Sequence, residues 1–227
     1  IEEQISCRTV TGADFSEGIR RFLIGLSKKV ILANNFALVA DQAFNIVGNN
    51  NISIAFAWLG SIAYTMQIFF DFSAYSDMAI GLGRMFGFKF LENFNYPYVS
   101  SSVSEFWRRW HISLGQWFRD YVYIPLGGSR VPSKALVIRN LLIVWLLTGI
   151  WHGANWTFIL WGLLYFALLA FEKIMGIPNK FESKQSKVLY AIFTFLMVNF
   201  GWVLFRSNNL LQAGTYLKAM FGLGDVS

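Results

Sequence analysis

Histidine is scarce in this chain, and both copies stand where a proton-carrying ring could do chemistry: His111 in EFWRRWHISLGQWFRDY and His152 in WLLTGIWHGANW. No Asp, Glu, Lys or Arg occurs between Asn140 and Phe171, so His152 lies in a stretch apolar enough for a bilayer. An ionisable side chain in such surroundings is costly unless it faces protein or water, and by default it marks a site. Gly149 and Gly153 leave room around the ring, and Asn155 offers an amide to orient it. A neutral imidazole there can act as general base, taking a proton from a hydroxyl or thiol. The competing reading is a buried histidine bonded to a helix carbonyl. His111, beside Arg109 and Trp110, admits a structural and a functional role alike.

Other side chains could serve the same site. Arg108 and Arg109 present guanidinium forks that match phosphate or pyrophosphate oxygens; anchoring at a membrane interface is the alternative. Asp71 and Asp77 are candidate binding carboxylates. Their i, i+6 spacing sets them well off one another on a helix, which fits separate helix–helix partners better than a diacidic centre. Two histidines without the Glu of a zincin motif, and a single cysteine, Cys7, make a poor metal site. No Walker A, GxGxxG or GxSxG pattern is present, so neither a metal nor a resident cofactor is expected.

The elements that must position these residues follow from composition. The chain has 227 residues, of which 55% are hydrophobic, 18% aromatic and 14% charged. Soluble domains carry about a quarter charged residues, so the deficit points to an all-α polytopic membrane protein. Residues 52–70 and 188–205 are uncharged and long enough to span, since the hydrocarbon core takes about 20 helical residues. Residues 15–47 are apolar but interrupted by Arg20, Arg21, Lys28 and Lys29, which suggests an amphipathic helix or helix pair at the membrane surface. Gly48 to Asn51 reads as a turn. Residues 71–84 continue a helical pattern, with Asp71, Ala74, Tyr75, Met78 and Leu82 on one face and Gly81 and Gly83 suited to close packing. Pro97 breaks the helix near 93–98.

Ser102 or Ser104 caps a new helix over 105–123, too charged for a lipid-facing span and too aromatic for full solvation. It suits a re-entrant or interfacial element at the cytoplasmic face, with His111 turned inward. The uncharged run from 140 to 171 would measure about 48 Å as one helix, beyond a bilayer core of about 30 Å. A break at the glycines beside His152 would fold it into a hairpin of two short arms, with basic loops at both ends on one side. Leu210 to Phe221 reads as a short amphipathic helix.

Formal net charge is +6, and the cations gather in short loops, as the positive-inside bias places them. That accounts for the basicity without nucleic acid. Opening at IEEQISCRTV and stopping at FGLGDVS, residues 1–227 read as one membrane domain within a longer chain, with N-terminal spans and the C-terminal end outside it. A transporter or channel with His152, Asp71 and Asp77 along its pathway is a second class, though no repeat symmetry is visible. A scaffolding subunit is a third.

Four long segments, DFSAYSDMAIGLGRMFGF (71–88), ENFNYPY (92–98), EFWRRWHISLGQWFRDYVYIPLGG (105–128) and WLLTGIWHGANWTFILWGLLY (145–165), resemble the membrane-bound O-acyltransferases in order and content. The likeness is greatest to the bacterial branch that acetylates alginate, peptidoglycan or cellulose. IPLGG resembles that branch more than the one that hands D-alanine to teichoic acids. The resemblance implies helices around a central pore in a bacterial inner membrane, with His111 and His152 as the family's histidine pair and His152 the catalytic one. It also implies a cytoplasmic acyl donor, acetyl-CoA, and an extracytoplasmic SGNH-type acetyltransferase partner that decorates the polysaccharide.

Overall fold

A computed structural model describes residues 2–47, 52–177 and 183–223, and among these every regular element is helical. Five helical stretches are long and apolar enough to cross a membrane: Gly12–Ile46, Ile54–Met85, Lys134–His152, Trp156–Met175 and Lys184–Arg206. The chain is an all-α polytopic membrane protein. The turn expected at Gly48 to Asn51 lies outside the described residues.

After a short α1 (Glu2–Ser6), the surface segment expected over 15–47 is instead a continuous, membrane-length helical stretch. It comprises α2 (Gly12–Ser27), a π-helical section (Lys28–Ala33) and α3 (Asn34–Ile46). The charges that argued against a span are matched across the packing interface. Arg21 and Lys28 pair with Asp77, each at 2.6 Å, and Lys29 pairs with Asp71. Both carboxylates come from α4 (Ile54–Met85), which packs antiparallel to α2.

α4 runs unbroken for 32 residues, about 48 Å at 1.5 Å per residue. It ends at Met85, before Pro97 is reached, because Gly87 turns at φ +79° and the Phe88 N–H donates to Gly83 O at 2.8 Å. The expected single face is revised too: Ala74, Asp77 and Gly81 are buried, whereas Tyr75 and Leu82 are exposed. A Cβ on Gly81 would lie 2.6 Å from Gly18 O, so the two backbones touch as small residues permit. Gly81→Leu is expected to separate α2 from α4 and to cut the yield of folded protein, measured by detergent-solubilised recovery and monodispersity.

The long uncharged run breaks beside the histidine, as its length requires. α7 (Lys134–His152) and α8 (Trp156–Met175) form an antiparallel hairpin. The arms are not the short ones expected; each has the length of a full span, 19 and 20 residues, because Ser133 caps α7 early and α8 continues to Gly176. Close approach is fixed at two glycines. A Cβ on Gly149 would meet Phe158 O at 2.7 Å, and one on Gly162 would meet Trp145 O at 2.5 Å. Then come α9 (Lys184–Arg206) and α10 (Leu210–Met220), the latter where the sequence predicts it.

The helix expected over 105–123 is three pieces: α5 (Val103–Arg109), α6 (Ile112–Phe118) and a π-helical turn (Arg119–Tyr123). Ser102 caps α5 by accepting the Glu105 N–H at 3.0 Å. The chain breaks at Trp110 and His111, and the extended segment around Phe94 fills the break. Asn95 N–H donates to Arg109 O at 2.9 Å and Ile112 N–H to Asn93 O at 3.0 Å. α5 packs into an aromatic core in which Trp107 meets Trp145, Trp161 and Tyr165 edge to face.

Candidate functional site

The break between α5 and α6 leaves His111 at φ +49°, a left-handed conformation that costs a residue bearing a Cβ. Such strain persists where surrounding contacts over-determine it, and it clusters at functional sites. Here the contacts come from Asn93. Its Oδ1 lies 3.2 Å from His111 Nδ1 and accepts from the Ser113 N–H at 3.1 Å and the Ser113 hydroxyl at 3.0 Å. The imidazole edge also meets Phe72, with ring centroids 4.6 Å apart at 88°. Burial pushes the His111 imidazole down to about 4, so it is neutral at physiological pH.

His152 closes α7 at the hairpin tip. Trp161 and Phe205 flank its ring edge to face, each at 5.0 Å, and Trp151 lies 4.9 Å away. Among the described residues no hydrogen bond to its ring nitrogens is found. The ring is held by packing, and its nitrogens remain available to a ligand.

Both histidines line one cavity of about 290 Å³. Arg108 and Arg119 lie on its wall, with Thr148, Tyr123 and a mainly apolar remainder that includes Phe72 and Val144. The cavity is lined from α4 through α9, with Phe72, Trp161 and Phe205 joining α5, α6 and α7, so side chains distant in sequence converge there.

Not every sequence candidate reaches the cavity. Arg108 does, and among the described residues it has no ion-pair partner. Arg109 turns away to Glu105 at 2.7 Å. For Glu105, burial raises its pKa, but the Ser101 hydroxyl and N–H and the Arg109 charge outweigh it and hold the carboxyl below its usual range. Asp71 and Asp77 lie in the ion pairs that join α4 to the preceding helices. Asn155 caps α8: its Oδ1 accepts the Thr157 N–H at 3.1 Å, and its Nδ2 donates to Asn208 O at 2.8 Å. Both ends of that amide are committed away from His152.

Three contributors were not singled out from the sequence. Arg119 looked like one more charge on a mixed helix. Asn93 sat in a turn-like run whose pairing partner lies beyond Pro97. Glu172, near the end of α8, is 2% exposed, and it is the anchor of α5. Its carboxylate accepts the Val103 N–H at 2.7 Å, the Ser104 N–H at 2.9 Å and the Ser104 hydroxyl at 2.7 Å. A charged residue on an otherwise apolar span is the signal that could have found it.

The family model described as MBOAT, membrane-bound O-acyltransferase family, matches residues 3–213. A probable alginate O-acetylase of Pseudomonas syringae pv. tomato is 52% identical over 99% of this chain and 42% of its own length. A peptidoglycan O-acetyltransferase of Helicobacter pylori is 46% identical over 92% of this chain and 40% of its own. A teichoic acid D-alanyltransferase of Bacillus subtilis is more distant, 30% identical over 83% of this chain and 50% of its own. The chain thus spans about half or less of the length of these relatives. By the family match and the identity along nearly its whole length, the chain belongs to the membrane-bound O-acyltransferase family.

Proposed function

We propose that the protein containing this chain is an O-acetyltransferase of the bacterial inner membrane that passes an acetyl group from cytoplasmic acetyl-CoA toward an extracellular or cell-wall polysaccharide. The observation that carries the reading is the shared cavity of His111 and His152. Acetyl rather than D-alanyl transfer is favoured by identity, 46–52% against 30% for relatives of the two kinds.

The proposed chemistry uses groups in the lining. An acceptor hydroxyl oxygen bonds to the acetyl carbonyl carbon while its proton passes to the His152 imidazole. The thioester C–S bond then breaks, and the departing thiolate takes that proton. Arg108, unpaired at the cavity wall, is placed to hold a donor phosphate. The acceptor belongs to an SGNH-type partner or to the polymer itself.

Direction is supported by charge. Lys134 and Arg139 begin α7, Lys173 ends α8, and Lys184 and Lys187 begin α9, so one end of the hairpin is basic and would face the cytoplasm. The His152 tip then points away from it, about 28 Å along a helix of this length. Cysteines at positions 134 and 184 should both be labelled from the cytoplasmic side; labelling from opposite sides would contradict this topology.

Radiolabelled acetyl-CoA supplied to membranes holding the whole protein and its partner should yield acetylated product. Arg108→Ala should raise KM for the donor and leave kcat nearly unchanged, because a phosphate contact is made equally in ground and transition states. Failure of the wild type to transfer acetyl under these conditions would refute the assignment.

A further inference from the structure

Ser113 supplies the deciding detail about His111. A backbone N–H can only donate, so the Asn93 side-chain atom it meets at 3.1 Å is the amide oxygen and not the nitrogen. The same oxygen faces His111 Nδ1 at 3.2 Å. An acceptor opposite Nδ1 requires a hydrogen on Nδ1, and a neutral imidazole then carries its lone pair on Nε2. The main chain of Asn93 is docked on the same turn through Ile112 N–H at 3.0 Å. Its side chain therefore has little freedom to turn the amide the other way.

Resting on the acyltransferase reading above, we propose that Asn93 is a positioning residue that holds His111 as the Nδ1–H tautomer, so that Nε2 meets the cavity as an acceptor for an O–H or other donor group of the substrate. Nε2 has no hydrogen-bond partner among the described residues, on a ring that lines the cavity. With Nδ1 committed, the neutral ring cannot donate to an acyl carbonyl. It selects a hydroxyl at this point of the cavity and orients it, leaving the proton transfer to His152. His111 and His152 thereby differ: one has its tautomer set by the protein, the other is free to exchange nitrogens.

The charged and titratable groups around His111 are few. Arg108 and Arg109 precede it on α5, Arg119 follows from the π-helical turn, Glu92 adjoins Asn93, and His152 shares the cavity from α7. α4 presents only Ile68 and Phe72 to the cavity. Among the described residues no carboxylate is bonded to the ring, and burial keeps it neutral down to about pH 4. Above that pH the Nε2 lone pair is present, and it is lost as pH falls through the pKa.

The test is the pH dependence of acetyl transfer by the whole protein in membranes, with wild type, Asn93→Asp, Asn93→Ala, His111→Ala and the Asn93→Ala/His111→Ala double variant. Asp keeps the acceptor and adds a negative charge against Nδ1–H, which raises an imidazole pKa by about one unit or more. The acid limb of kcat should move to higher pH by that amount. Asn93→Ala should lower kcat by about 10–100-fold with little change in KM, and should cost nothing further once His111 is already Ala. A pH profile for Asn93→Asp that superposes on wild type would overturn the proposal even where Asn93→Ala fails to fold. So would additive losses in the double variant. Absence of acetyl transfer by the wild type would instead remove the acyltransferase reading, and this proposal with it.

Discussion

Glu172→Ala should abolish accumulation of folded protein or leave it inactive, although Glu172 does not itself line the cavity and reaches it only through Ser104. Its carboxylate is buried and satisfies two backbone N–H groups and one hydroxyl at the start of α5. Removing the acceptor strands those donors, at about 1–3 kcal/mol each. A total of that size is comparable to the whole stability of many domains. α5 is short and carries Arg108 and the approach to His111, so any displacement moves the cavity wall. Glu172→Gln retains one acceptor oxygen and should recover part of the loss. Thermal unfolding of the detergent-solubilised whole protein checks this: a Glu172→Ala transition within a degree of wild type would refute the anchoring role.

His152→Gln should lower acetyl transfer by about 10²–10⁴-fold, the usual cost of removing a general base, with the protein still folded. Glutamine fills much of the same space between Trp161 and Phe205 but cannot accept and return a proton. His111→Ala should also lower the rate, by less, since the hydroxyl it orients can still reach His152. Near-full acetylation in the His152→Gln strain, measured by acetyl release from the surface polymer, would remove His152 from the chemistry.

How much of this was readable in the chain depends on how local each cause is. The spans at 52–70 and 188–205, the α10 helix and the break beside His152 follow from hydropathy, length and glycine placement. The hairpin arms came out longer than expected because a helix tolerates Lys134, Arg139, Glu172 and Lys173 near its ends, where hydropathy counted them as boundaries. Residues 15–47 are helical as expected, but they form one stretch long and apolar enough to cross a membrane, for a related reason. Arg21, Lys28 and Lys29 look like surface charges until Asp77 and Asp71 are seen to face them from α4, and no local pattern reports a partner some fifty residues away. The site divides in the same way. His152 stands out as an ionisable type in an uncharged run, and His111 and Arg108, left open by a mixed polar and aromatic segment, are brought to the same cavity wall. Asn93 is informative only through the turn it supports, and the roles of Asn155, Asp71 and Asp77 as cap and ion-pair partners emerge only from tertiary contacts.

The central claim is that acyl transfer takes place in the cavity shared by His111 and His152. A structure of the whole protein bound to a non-hydrolysable acetyl-thioester analogue tests it most directly. The account predicts the acetyl group within reach of both imidazoles, with a donor phosphate toward Arg108 and a hydroxyl-sized solvent or acceptor group at His111 Nε2. Acetyl density seated elsewhere, with this cavity filled only by its own side chains, would contradict it.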